Sequence, residues 1–144
     1  MDIGQVGLAA ALALAAVGSA LGAGAAGMAA IGAWKKAFLQ NKAAPFILTV
    51  FVGAPLSQTI YGFIVMNTLA SKAGSGNYLW FAGILAGIAI GMSALMQGKA
   101  GAAASDALAE TGKGFGNYIM VLGVIETVAL FVMVFIIQAV GNIK

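Results

Sequence analysis

Four stretches of this chain stay apolar for long enough to cross about 30 Å of hydrocarbon, a distance that takes about 20 helical residues. They run from Ile3 to Trp34, from Pro45 to Leu69, from Tyr78 to Leu95 with a less apolar continuation, and from Tyr118 to Val140. Lipid offers no partner to a free N–H or C=O, and the runs are continuous rather than alternating in polarity, so they predict helices and not barrel strands. Composition agrees, since 62% of the 144 residues are hydrophobic and 8% are charged, more apolar surface than a soluble domain of this size can cover. The expectation is an all-α membrane protein with four transmembrane helices in one membrane domain over residues 1–144. Asp2, with no basic flank before the first run, predicts a mature span there rather than a cleaved signal peptide.

Seven lysines against four acids give a net charge of +3, and the lysines fall in short loops instead of forming a patch, which argues against nucleic-acid binding. With no Cys and no His, disulfides, zinc sites, thiol nucleophiles and imidazole bases are excluded. Lys35, Lys36 and Lys42 mark the first loop and Lys99, Asp106, Glu110 and Lys113 the third, whereas Ser71 to Asn77 holds only Lys72. That bias puts the first and third loops in the cytoplasm and both termini outside. Ala-rich sequence from Ala100 to Ala109 predicts that the third helix continues past Lys99 and projects beyond the membrane. Trp34, Tyr78, Trp80 and Tyr118 stand where interfacial aromatics anchor a span. Residues Gly22 to Gly27 match GxGxxG, but they follow a helical pattern, and Asn41 and Lys42 stand where a nucleotide site would need an acid, so close helix packing explains them better.

The chain repeats itself. Ser19-Ala20-Leu21 recurs as Ser93-Ala94-Leu95, and Gly24 and Gly27 fall on Gly98 and Gly101. If the first cytoplasmic loop is allowed to be longer, Gly53 falls on Gly123 and Leu56 on Glu126, while Ala23 matches Gln97. The reading is two parallel helical hairpins made by duplication, residues 1–73 and 74–144, of which the second kept a carboxylate. Gly18 with Gly22, and Gly83 with Gly87 and Gly91, give the odd-numbered spans small faces, while Phe46, Phe51, Phe63, Phe131, Met133 and Phe135 make the even-numbered ones bulky. Thin helices paired with bulky ones make wedges that close into a homo-oligomeric ring with the thin helices inside. Packing within a single bundle would use the same glycines.

Glu126 is the one carboxylate inside any of the four apolar runs. An acid at the middle of a bilayer costs roughly 2.5 to 3.5 kcal/mol on insertion scales, and such residues mark ion and proton pathways. On the second span Ala54, Ser57, Gln58 and Tyr61 follow the i, i+3, i+4, i+7 pattern and share a face. Pro55 brings no N–H to that helix, freeing the carbonyl of Phe51 and loosening the turn that holds Ala54. With Gln97 and Glu126 added, these residues offer an oxygen-rich pocket around one negative charge, which suits a small hard cation. A proton needs the acid alone, so the extra oxygens favour Na+ over H+. Taken singly, Ser and Gln could equally cross-link helices.

The duplicated hairpins, the segment from Pro55 to Gly62, Met96-Gln97-Gly98-Lys99 and Glu126 together resemble the proteolipid K, or c, subunit of bacterial V-type sodium ATPases. The resemblance implies a ring of identical subunits in a bacterial cell membrane, turning against a stator subunit that carries an essential Arg and linked to central-stalk subunits on the cytoplasmic side. It implies Na+ held by Glu126, Gln97, Gln58, Ser57 and the carbonyl of Ala54, with Tyr61 bonding the carboxylate, and no organic cofactor. The family's sodium pattern has Thr where this chain has Ser57, which keeps the oxygen but places it less firmly. Implied too is a chain that is not catalytic by itself, the ATP chemistry belonging to partner subunits. Three other readings stand beside it: a proton-coupled ring, a small four-helix drug/proton antiporter, and a purely structural proteolipid.

Overall fold

The computed structural model describes residues 3–72 and 79–142. Asp2, Tyr78 and loop residues 73–77 lie outside the described residues. Every regular element among those described is helical: α1 Ile3–Leu39, α2 Thr49–Gly53, α3 Ser57–Ala70, α4 Leu79–Thr111 and α5 Phe115–Gly141. A 3-10 turn at Phe46–Leu48 leads into α2, and another at Ala54–Leu56 joins α2 to α3, so these pieces form the second span, Phe46–Ala70. The four expected spans are therefore present in one chain that crosses the membrane several times.

Local chemistry sets where the helices bend and stop. Pro55 cannot donate to Phe51, and there the α-helical ladder tightens into the 3-10 turn, as the sequence requires. α1 runs five residues beyond Trp34, because nothing in Lys35 to Leu39 breaks a helix once it has left the lipid. It ends at Asn41, whose φ of 53° is left-handed, and Lys42 N–H donates to Ala37 O at 2.9 Å, the terminal bond of a Schellman cap. α4 continues through Lys99 to Thr111 as expected, and at 33 residues it is about 50 Å long, so part of it stands outside the hydrocarbon. Gly112 and Gly114, both at positive φ, make the tight connection to α5.

α1 and α4 lie side by side and parallel. Gly7 and Gly83, Gly18 and Gly91, and Gly22 and Gly98 meet backbone to backbone with no room for a methyl group. The glycine faces thus work inside the chain by bringing together the thin helix of each hairpin. Beyond the membrane Lys36 and Glu110 pair at 2.6 Å and tie the projecting ends of the same two helices.

Buried apolar side chains form two clusters. One gathers Ala11, Ala15, Val65, Leu69, Ile90 and Ala129, the other Ala30, Leu48, Phe51, Ala104, Leu108 and Leu122. Phe51 packs on Phe115 and Tyr118, and Trp34 donates from Nε1 to Pro45 O at 2.9 Å, which anchors the first loop. Between the two clusters along the chain stand polar residues: Ser19 on α1, Ser57 and Gln58 on α3, Ser93 and Gln97 on α4, and Glu126 on α5.

Candidate functional site

Three spans supply the acid and its partners in that polar layer. The 3-10 turn aims Ala54 O and the start of α3, α4 brings Gln97, and α5 brings Glu126. Glu126 Oε1 accepts from Ser57 Oγ at 2.6 Å and from Tyr61 OH at 2.7 Å, and Oε2 accepts from Gln97 Nε2 at 3.2 Å. These donors are neutral, so the carboxylate is oriented without having its charge cancelled. Gln58 and Gln97 are 0% and 1% exposed, and Gln58 Nε2 donates to Gln97 Oε1 at 2.8 Å. Gln97 Nε2 also donates to Leu122 O at 3.0 Å, so the amide bridges α3 and α5.

The surroundings of Ser57 show what this arrangement can do. Its Oγ lies 2.6 Å from Glu126 Oε1, 3.1 Å from Gln58 Oε1 and 3.2 Å from Ala54 O. A hydroxyl carries one hydrogen. If the carboxylate takes it, the contacts with Gln58 Oε1 and Ala54 O are oxygen against oxygen with no proton between them. Three oxygens, one of them on the carboxylate, thus lie within hydrogen-bonding distance of one hydroxyl that has a single hydrogen to give, and all four are oxygens of the hard kind that small cations take as ligands.

Every residue named from the sequence for this site is brought together: Ala54, Ser57, Gln58, Tyr61, Gln97 and Glu126. Leu56, the repeat counterpart of Glu126, is exposed on the surface of the chain, so the first hairpin builds no matching site there. Two contacts were not foreseen: the carbonyl of Leu122 as a partner of Gln97, and a bond from Ser93 Oγ to Ile125 O at 2.8 Å. The spacing held a signal for the second, because Ser93 precedes Gln97 by one helical turn and shares its face.

Residues 80–138, most of the second hairpin, match the family model of the ATP synthase C subunit. Over 145 aligned residues, covering 99% of the chain, the sequence is 36% identical to the A-type ATP synthase subunit K of Methanocaldococcus jannaschii. The chain spans 64% of the length of that relative.

Proposed function

We propose that the chain is the ion-carrying subunit of a membrane rotor ring, taking Na+ across the membrane on Glu126, a reading supported by its similarity to the ATP synthase C subunit over residues 80–138 and to an A-type ATP synthase subunit K along nearly all of its length. The observation that carries the reading is the gathering of Ala54 O, Gln58 Oε1 and Glu126 Oε1 around Ser57 Oγ inside the span, where the Ser57 hydroxyl has one hydrogen for three oxygens. Na+ seated there takes its ligands from Glu126, Ser57, Gln58, Gln97 and the carbonyl of Ala54, while Tyr61 holds the carboxylate.

Charge then dictates the mechanism. An empty Glu126 facing hydrocarbon carries the cost of a buried carboxylate, whereas a loaded site is neutral and can turn through lipid. Copies of the chain form the ring, with the thin helices α1 and α4 towards its axis. Where a copy meets the stator, an Arg of that partner compensates the carboxylate, the ion leaves towards one side, and another enters from the other. Each transferred charge works against about 2.3 kcal/mol per 100 mV of membrane potential. One acid per four helices carries half the ions per turn of a ring of equal size with one acid per hairpin, a gearing that favours pumping against a steep gradient. The chain is not an enzyme by itself; ATP chemistry sits on partner subunits linked through the central stalk. Both termini face outward in a bacterial cell membrane, and the projecting ends of α1 and α4 face the cytoplasm.

Carbodiimide modification of Glu126 in the purified assembly tests the reading. Protection by Na+ supports it. Modification indifferent to Na+ but inhibiting proton transport replaces it with the proton-coupled ring.

A further inference from the structure

Hydroxyls in helices ordinarily turn back onto a carbonyl of their own preceding turn. Thr68 bonds Ile64 O, Ser71 bonds Thr68 O and Thr127 bonds Val124 O in that way. Ser93, 6% exposed, does something different: it donates across to Ile125 O on α5, the carbonyl immediately before Glu126. One turn further along α4, Gln97 reaches Leu122 O, one turn earlier on α5. The helices run antiparallel, so the two bonds are successive rungs of one ladder, both directed at the turn that leads into the carboxylate.

α5 needs such a hold. Its buried side chains within the chain are Leu122, Ala129 and Val140, and between helices in lipid there is no hydrophobic drive to press the rest of it into one orientation. A slip by one residue turns a helix through about 100°. That rotation would swing Glu126 away from Ser57 and Tyr61. Packing of smooth aliphatic side chains resists it weakly, whereas a hydroxyl–carbonyl bond has a narrow range of angle and length.

We infer that Ser93 is a positioning residue of the ion site: through Ile125 O it fixes the rotation and height of α5 and so holds the Glu126 carboxylate towards Ser57 and Tyr61. The inference rests on the reading of Glu126 as the ion-carrying group. The repeat supplies its own control. Ser19, the counterpart of Ser93, is 2% exposed, and its hydroxyl has no hydrogen-bond partner among the described residues. Removing either hydroxyl deletes one buried oxygen, but only the Ser93 variant deletes a bond to α5.

The test compares Ser93→Ala, Ser19→Ala and Ser93→Thr in the purified assembly. The rate of carbodiimide modification of Glu126 is followed first without Na+ and then across a series of Na+ concentrations. Ser93→Ala is expected to react about fivefold faster without Na+ and to need about fivefold more Na+ for half-protection, the scale of one interhelical hydrogen bond. Ser93→Thr, which keeps the hydroxyl, restores both values, and Ser19→Ala matches the unsubstituted protein. Equal behaviour of Ser93→Ala and Ser19→Ala overturns the inference, as does an intact Ser93→Thr assembly that restores neither value. Should the unsubstituted protein react at a rate indifferent to Na+, the sodium reading fails, while the Na+-free rates still decide the part played by Ser93.

Discussion

Ser57 Oγ and Glu126 Oε1 sit 2.6 Å apart although 69 positions separate them in the chain. The contact joins the second span to the fourth. Both halves of the chain contribute to the site: the first gives Ala54, Ser57, Gln58 and Tyr61, and the second gives Gln97 and Glu126. Neither half builds it alone.

Replacing Glu126 by Gln keeps the shape and removes the charge. Ser57 and Tyr61 can still donate to the amide oxygen, while the new NH2 faces Gln97 Nε2 and loses that one bond, so the assembly should still form. Cation binding should fall below detection, because neutral oxygens alone do not offset the dehydration of Na+. Equilibrium binding of labelled sodium to the purified assembly checks this, and retained binding would remove Glu126 from the ion path.

How much of this was legible in the sequence follows from the contrast between lipid and polar groups. Glu126, Gln97, Gln58 and Ser57 stood out because each interrupts an apolar run, and Pro55 announced the irregular turn because it cannot donate. The limits of α1 were less visible. Lys35 and Lys36 end the hydrophobic signal, but a helix stops where its backbone is capped, and the Asn41 cap comes later. On α5 Glu126 alone marked the inward face, since Val121, Val124, Val128 and Phe131 on the outward face are as apolar as the remaining inward residues, and one acid does not say how high α5 stands against α4. What Ser93 bonds to depends on that height, and so the residue stood out only as part of the repeat.

Tyr61→Phe separates holding the carboxylate from binding the ion. The ring and its packing remain, but Oε1 loses the donor at 2.7 Å. A hydrogen bond to a charged group contributes about 1.5 to 3 kcal/mol, so Na+ affinity should fall roughly tenfold or more. The loss should appear mainly as faster release, measured as exchange of bound labelled sodium, with one ion per chain still bound at saturation. Unchanged exchange would mean that Tyr61 contributes only packing.

Substitutions at Ser57 distinguish a ligand from a helix cross-link. Ser57→Ala removes the oxygen that touches three others and should weaken Na+ binding by about tenfold or more, given the strength of bonds to charged groups. Ser57→Thr keeps the oxygen and restricts the rotation of its side chain. Affinity should then equal or exceed that of the unsubstituted protein by a few-fold. A structural cross-link predicts another pattern, in which thermal stability of the assembly changes and sodium affinity does not.

Gly98→Ala tests whether the approach of α1 and α4 supports the site. Gly98 follows Gln97 directly, and a methyl group at that position would collide with the backbone of Gly22. Backbone on both sides cannot yield as a flexible side chain would, so the helices must separate, at a cost of about 1 to 3 kcal/mol by the usual measure of overpacking. Their separation also moves Gln97, which bonds Gln58, Leu122 O and Glu126 at once. The expected result is a lower temperature of assembly dissociation in detergent together with weaker sodium binding. Gly24→Ala, where an added methyl meets none of the chain's described residues within 4 Å, should change neither. If Gly98→Ala lowered stability and left sodium affinity intact, the glycine faces would be packing devices with no hold on the ion site.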